Sequence, residues 1–242
     1  MKLLIDGDII AYTAASACET PIDWGDGLWT LHAFEQELEG YLAESVSKLI
    51  QASSCTEVVT AISDVANYRK SIDPTYKANR KNIRKPMLLQ HAKDFLFETY
   101  NGVIWKNLEA DDVLGILGSS DADSVIWSTD KDLKTIPANH LIDGEIVEIS
   151  EAEADYWFYY QTLVGDITDN YPGCPKVGPK TAEKILDKES SWNAVATAYL
   201  NAGLLEQEAI KQAQLARILR AGEYDQTTSE VSLWMPMNFP AA

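Results

Sequence analysis

Three short apolar runs in this chain each end on an aspartate, and no other feature constrains the fold as much. Leu3-Leu4-Ile5 runs into Asp6-Gly7-Asp8, the run from Val58 to Ser63 ends at Asp64, and Ser124 to Ser128 ends at Asp130. Runs of this length and composition read as buried strands. Between them lie stretches suited to helices, at residues 9–19, 33–51, 87–98 and 110–118. In 33–51 the period is carried by Phe34, Leu38, Tyr41, Leu42, Ser45 and Leu49. Strands alternating with helices predict an α/β fold with a mostly parallel central sheet. A loop or hairpin is expected at 20–31, a further strand at 102–105 and a hairpin at 141–149. Beyond residue 151 the pattern turns helical, with turn signals at 170–179. In open α/β sheets, sites form at the carboxyl ends of strands where the strand order reverses. The strand pattern therefore sends the aspartates to one edge.

The carboxylates fall into groups: Asp6; Asp64; Glu109, Asp111 and Asp112; Asp130 and Asp132; Asp166 and Asp169. Asp130 and Asp132 share a side of an extended chain. Glu109 and Asp112, like Asp166 and Asp169, share a face if the backbone there is helical. Any one group alone is more often a helix cap or a solvated turn. Together they are costly, because like charges about 4 Å apart repel by roughly 4 kcal/mol at an effective dielectric of 20. Oxygen ligands without a His or Cys cluster favour Mg²⁺ or Mn²⁺ over zinc. Two such ions would serve phosphoryl transfer to water.

The 242 residues carry a net charge of −17, which excludes a protein that holds nucleic acid by overall charge. The distribution matters more. Residues 69–93 hold eight of the twenty Lys and Arg residues against one acid, Asp73. That is a local +7 and a phosphate-binding candidate, with a solvated charged surface as the alternative. Tyr68 and Tyr76 lie among these charges and are expected to stack on bases. A second candidate is Pro172-Gly173-Cys174-Pro175-Lys176-Val177-Gly178-Pro179-Lys180-Thr181-Ala182. There Pro179 suits the first position of a helix whose free amides can hold a phosphate. A plain helix–turn–helix connection is equally compatible with it. Three scattered cysteines fit reduced thiols in a cytoplasmic protein. No signal peptide and no membrane span are expected. A monomer is the default.

Taken in order, six stretches resemble the 5′-nuclease, flap endonuclease-like superfamily. They are Leu4-Ile5-Asp6-Gly7; Asp64 with Tyr68-Arg69-Lys70; Tyr76-Lys77-Ala78-Asn79-Arg80; Glu109-Ala110-Asp111-Asp112; Thr129-Asp130-Lys131-Asp132-Leu133; and Gly165-Asp166 with Asp169-Asn170, Pro172-Gly173 and Val177 to Ala182. The Asp73–Lys81 stretch, Glu208 to Arg220 and Leu233-Trp234-Met235-Pro236 are further similar to the short 5′→3′ exonucleases of T-odd bacteriophages.

The resemblance implies a PIN-like nuclease core over residues 1–165, with a basic helical gateway at 66–95. A helix–hairpin–helix subdomain with C-terminal helices would follow over 166–242. It implies a structure-specific 5′→3′ exonuclease on duplex DNA, acting also on 5′ flaps and on RNA in RNA–DNA hybrids and leaving 5′-phosphates. Such an enzyme would serve phage replication, primer removal or host DNA breakdown. It implies two Mg²⁺ ions, with Mn²⁺ as a substitute. Asp6, Asp64, Glu109, Asp111, Asp112 and Asp130 would serve the first, and Asp132, Asp166 and Asp169 the second. Arg69, Lys77 and Arg80 match basic gateway residues, with Lys77 and Arg80 at the scissile phosphate. Lys70, Lys81, Arg84 and Lys85 extend that DNA contact, and Gly173, Lys176, Gly178, Lys180 and Thr181 would grip duplex backbone, with a K⁺ at the hairpin.

There are departures. Lys176 stands where the hairpin usually has glycine. Asp8 falls where the family varies and is at most an outer-shell group. The interval from Arg80 to Glu109 suits a short gateway rather than a thread-through arch. Three alternatives stay open on the residues themselves: a haloacid-dehalogenase-type phosphatase built on Asp6-Gly7-Asp8, a PIN-type ribonuclease, and an inactive DNA-binding accessory protein.

Overall fold

A computed structural model describes residues 1–237; the last five residues of the expected C-terminal subdomain, 238–242, lie outside the described residues. In chain order the elements are β1 (Lys2–Asp6), α1 (Gly7–Ala17), β2 (Thr20–Asp23), β3 (Trp29–His32), α2 (Glu35–Ser53), β4 (Glu57–Ala61), α3 (Arg69–Ile72), α4 (Leu89–Thr99) and β5 (Gly102–Val103). They continue with α5 (Ala110–Ser120), β6 (Ser124–Trp127), β7 (Asn139–Ile142), β8 (Glu145–Glu148), α6 (Glu151–Val164), α7 (Pro179–Leu186), α8 (Trp192–Asn201), α9 (Glu206–Ala216), β9 (Tyr224–Asp225) and β10 (Glu230–Val231). Short 3₁₀ turns cover Ala78–Asn82 and Lys131–Thr135.

The main sheet runs β5-β4-β1-β6-β7-β8. Its first five strands are parallel, and β8 closes it antiparallel, as the hairpin expected at 141–149. After β1 the chain steps outward to β4 and β5, then returns to place β6 on β1's other side. The order therefore reverses at β1, and the carboxyl ends of β1 and β6 lie side by side there.

The pleat of β1 explains why a run of three apolar residues suffices. Leu3 and Ile5 face a core built with α1, α2 and α4, where Ile10, Leu38, Leu42 and Leu96 are buried. Leu4 faces the opposite layer, with Val113 and Leu114 of α5 and Ile136. A strand covered on both sides has no polar face, hence no alternation. The loop or hairpin expected at 20–31 is the separate β2–β3 hairpin.

A third layer, α6 to α9, packs around Leu163, Leu186, Val195 and Tyr199. The chain then returns to the sheet: Ile218 and Leu219 are buried against α5's layer, and Tyr224 stacks on Trp105 with ring centroids 5.7 Å apart. The helical unit and the sheet are thus stitched together by residues 217–231. The basic segment between β4 and α4 is broken into pieces. Pro74 and Pro86 cannot continue a helix, and Lys77 takes a left-handed backbone at φ +55°. Cys18, Cys55 and Cys174 are buried free thiols. No helix of the described residues is long and apolar enough to cross a membrane.

Candidate active site

A cleft of about 370 Å³ opens at the reversal point of the sheet. Seven of the nine expected carboxylates line it. Asp6 comes from the end of β1; Glu109 and Asp111 from the start of α5; Asp130 and Asp132 from the turn after β6; Asp166 and Asp169 from the loop after α6. Lys77 and Arg80 line the same cleft. Asp6, Asp130 and Asp166 are fixed by local backbone chemistry. Asp6 caps α1, accepting from the Ile9 amide at 3.1 Å and from Ser128 Oγ at 2.7 Å. Asp130 caps its 3₁₀ turn through the Asp132 amide at 2.9 Å. Asp166 accepts the amides of Thr168 and Asp169.

The other two acids do not line the cleft. Asp64 accepts the amides of Val65 (2.7 Å) and Asn107 (2.8 Å) and so ties the loop after β4 to the one before α5. Asp112 is fully buried and grips Arg69 through two hydrogen bonds of 2.7 Å each. It also accepts the amides of Glu109 and Leu219. Arg69 is itself buried, donates to the carbonyls of Leu215 and Arg217, and reaches Glu109 Oε2 at 3.3 Å. Its charge is therefore spent inside the protein.

Electrostatics sets two kinds apart among five of the seven. Glu109 has cations beside it. Burial pushes it up, but Lys77 and Arg69 outweigh burial and bring it down to about 2. Asp169 lies against Arg80 and 3.5 Å from Lys77. Among the described residues Asp6, Asp111 and Asp132 form no ion pair, although Lys77 acts on Asp111 and Lys131 on Asp132 from further away. Burial and neighbouring carboxylates raise Asp6 to about 6 and Asp132 to about 7, and push Asp111 well above the usual range. Among the described residues no three of these acids converge closely enough to hold an ion as they stand; Lys77 and Arg80 pair with two of the seven. An all-oxygen donor set with three acids short of positive charge, one buried and two half-buried, fits divalent magnesium or manganese.

The tyrosines are not where base stacking needs them. Tyr76 is buried, stacked on Tyr171, and its hydroxyl lies 3.0 Å from Glu109 Oε2 and 2.9 Å from Asp169 Oδ2. Tyr68 packs beside α5's layer and donates to the Arg217 carbonyl. Both rings are withdrawn because their hydroxyl partners lie inside. In the basic segment, Lys70, Lys81, Arg84 and Lys85 are all exposed, but Arg84 forms a two-pronged pair with Glu19. Lys93 pairs with Asp8 at 2.7 Å, which accounts for Asp8 at the cleft's rim.

The segment after α6 is closed by two glycines set back to back. Gly165 (φ +72°) and Gly173 (φ +66°) lie so close that a Cβ on either would fall 2.4 Å from the other's amide nitrogen. Asp166 and Tyr171 exchange backbone hydrogen bonds within this loop. Gly173 is buried and its amide donates to Gln212 Oε1, so it offers nothing to a ligand. Lys176, Lys180 and Thr181 are exposed and Gly178 caps α7, with Pro179 at its first position. Lys176 keeps the backbone of the glycine it replaces, at φ +64°.

Three contributors went unread in the sequence. Glu19 anchors the gateway, the Tyr76 hydroxyl joins two acids, and Gln161 of α6 donates to Asp132 Oδ2 at 3.1 Å. Only Gln161 gave a signal, a polar residue three positions after the buried Phe158.

The sequence pattern of the 5′-3′ exonuclease N-terminal resolvase-like domain matches residues 1–156. The chain is 32% identical to the exonuclease of Escherichia phage T7, over 97% of this chain and 93% of that one. It is equally similar to the exodeoxyribonuclease of Enterobacteria phage T3, over 97% and 92%. Similarity to the flap endonuclease Xni of Shewanella baltica is 24% over 76% of this chain and 77% of that one. Among solved structures, the T5 D15 protein co-crystallized with metal ions shares the fold, with a TM-score of 0.65, 14% identity, and coverage of 89% of this chain and 88% of that one. With its carboxylates gathered at the reversal point of a parallel sheet and both phage enzymes matched along nearly their whole length, the chain belongs to the 5′-3′ exonuclease family.

Proposed function

We propose that this chain is a divalent-metal-dependent 5′→3′ exonuclease that hydrolyses duplex DNA from 5′ ends, cuts 5′ flaps, removes RNA from RNA–DNA hybrids and leaves 5′-phosphates. The observation that carries the reading is the convergence of seven carboxylates with Lys77 and Arg80 in one cleft. Asp6, Glu109, Asp111 and Asp130 would hold one ion; Asp132, Asp166 and Asp169 would hold the other. Held there, two Mg²⁺ ions, or Mn²⁺ in their place, would supply the Lewis acidity that phosphodiester hydrolysis by water needs. The chain's own cations do the rest. Lys77 and Arg80 are cations of the cleft paired with its acids and open in part to solvent, able to transfer from Glu109 and Asp169 to a phosphate. Lys70, Lys81 and Lys85 extend the contact along the backbone. On the far side, Lys176, Lys180 and Thr181 and the amides at the start of α7 hold duplex phosphates, with K⁺ as a further ligand of that hairpin. These contacts read phosphate and not bases, so cleavage depends on DNA structure and not sequence. A phosphatase of small esters would have no use for them.

The deciding experiment digests a blunt duplex labelled at 5′ or 3′ ends, with Mg²⁺ and with EDTA. Early release of the 5′ label as mono- or short nucleotides, only with metal, is the expected result. No cleavage of duplex, flap or hybrid would sink the proposal.

A further inference from the structure

Glu109 and Asp169 belong to different carboxylate groups and come from elements 60 positions apart in the chain. Two consecutive side chains, Tyr76 and Lys77, touch both. Their contacts differ in kind. Lys77 pairs with Oε1 of Glu109, and Arg80 with Oδ1 of Asp169. Both are long, charged side chains with 19% and 43% of their surface open to solvent. They are free to be exchanged for another cation. Tyr76, a residue only 3% exposed, puts a neutral hydroxyl on Oε2, which Arg69 also reaches at 3.3 Å, and on Oδ2, which lies 3.5 Å from Lys77. The ring is wedged against Tyr171, and the neighbouring Lys77 amide donates to the Asp169 carbonyl at 2.9 Å. The phenol cannot swing away without unpacking this stack.

We propose that the Tyr76 hydroxyl is a positioning group that holds Glu109 and Asp169 together from behind, so that the two carboxylate groups take up their divalent ions as a pair. The inference rests on the two-metal reading above. Its physical basis is simple. A single hydroxyl proton is shared between two anionic oxygens. It offsets part of their mutual repulsion and fixes the rotation of each carboxylate, which leaves Oε1 and Oδ1 as the oxygens open to exchange. Without it, each acid must be ordered separately when an ion arrives. Tyr76 touches no substrate in this scheme; it acts through Glu109 and Asp169.

The test is Mn²⁺ binding by the full chain without DNA, followed by the electron paramagnetic resonance of free Mn²⁺. Wild-type protein is expected to bind two ions with similar affinities. Tyr76→Phe, which removes one oxygen and keeps the ring stack, is expected to weaken binding at least tenfold and to split it into two separate steps. Tyr68→Phe removes a hydroxyl from the same segment that touches no cleft acid, and is expected to bind as wild type does. Tyr76→Phe binding two Mn²⁺ with wild-type affinity would overturn the proposal. Should Tyr76→Phe melt early in EDTA, the Glu109→Gln background decides: a hydroxyl acting through Glu109 gives losses that do not add, and additive losses would overturn it. A wild-type protein that binds no Mn²⁺ would instead overturn the two-metal reading itself.

Discussion

Arg69 and Asp112 close a two-pronged ion pair, both bonds 2.7 Å, that joins the start of α3 to the first turn of α5 with almost no surface left to water. The pair stands directly behind Glu109, which Arg69 also touches. Removing one partner strands the other as a buried unpaired charge. Arg69→Ala is therefore expected to cost roughly 3–5 kcal/mol of stability. Urea unfolding in EDTA measures this; a loss below about 1 kcal/mol would mean that the pair is not sealed.

Lys77 should behave oppositely. It is a partly exposed cation among acids, and its withdrawal relieves no buried charge of its own. Lys77→Ala is expected to lower kcat by about 10²–10³-fold, the usual cost of one donor aimed at developing charge, with KM for duplex nearly unchanged. Single-turnover cleavage rates with saturating enzyme separate the two effects. A large rise in KM at normal kcat would make Lys77 a binding residue.

The raised acids make stability depend on pH in an unusual direction. Asp6 and Asp132 titrate near 6 and 7 in the fold, above the ordinary carboxylate range. Between those values and pH 4 the folded state binds more protons than the unfolded chain, so stability falls as pH rises. In EDTA the melting temperature is expected to drop by several degrees from pH 5 to pH 8. Millimolar Mg²⁺ should cancel most of that drop, since an ion replaces the missing protons. A flat profile in EDTA would contradict the electrostatic picture of the cleft.

Lys176 offers a test with two readouts of opposite sign. Its left-handed backbone costs a non-glycine residue about 1 kcal/mol, part of which glycine gives back through unfolded-state freedom. Lys176→Gly is expected to gain about 0.5 kcal/mol of stability, while the salt dependence of duplex binding becomes shallower by about one unit in the log–log slope. Thermal melts and binding at several salt concentrations check both.

The architecture was readable from short-range pattern because β1 and β6 state their environment locally: apolar on both faces, aspartate at the end. Asp6 and Asp130 followed from that rule, whereas Asp64, at the end of a third such run, ties two loops together outside the cleft. Asp111 and Asp112 show where it stops. They are neighbours in the chain, but about 100° of helix turn separates them, so one faces the cleft and the other faces Arg69, 43 positions earlier. Nothing near residue 112 announces that partner. Tyr76 misled for the same reason. Its neighbours are basic and polar, like a surface, while its hydroxyl partners stand 33 and 93 positions away. Arg84 looked like a free cation until Glu19, 65 positions distant, was found beside it.

The paired glycines at 165 and 173 have a mechanical consequence. By pressing the two ends of the loop together, they make the arm that bears Asp166 and Asp169 continuous with the arm that leads into α7. Under the proposed function, the place where duplex is held and the place where it is cut are then two marks on one rigid gauge. The spacing between grip and cut would be set by covalent geometry, and the length of each bite would be a property of this loop rather than of the nucleic acid.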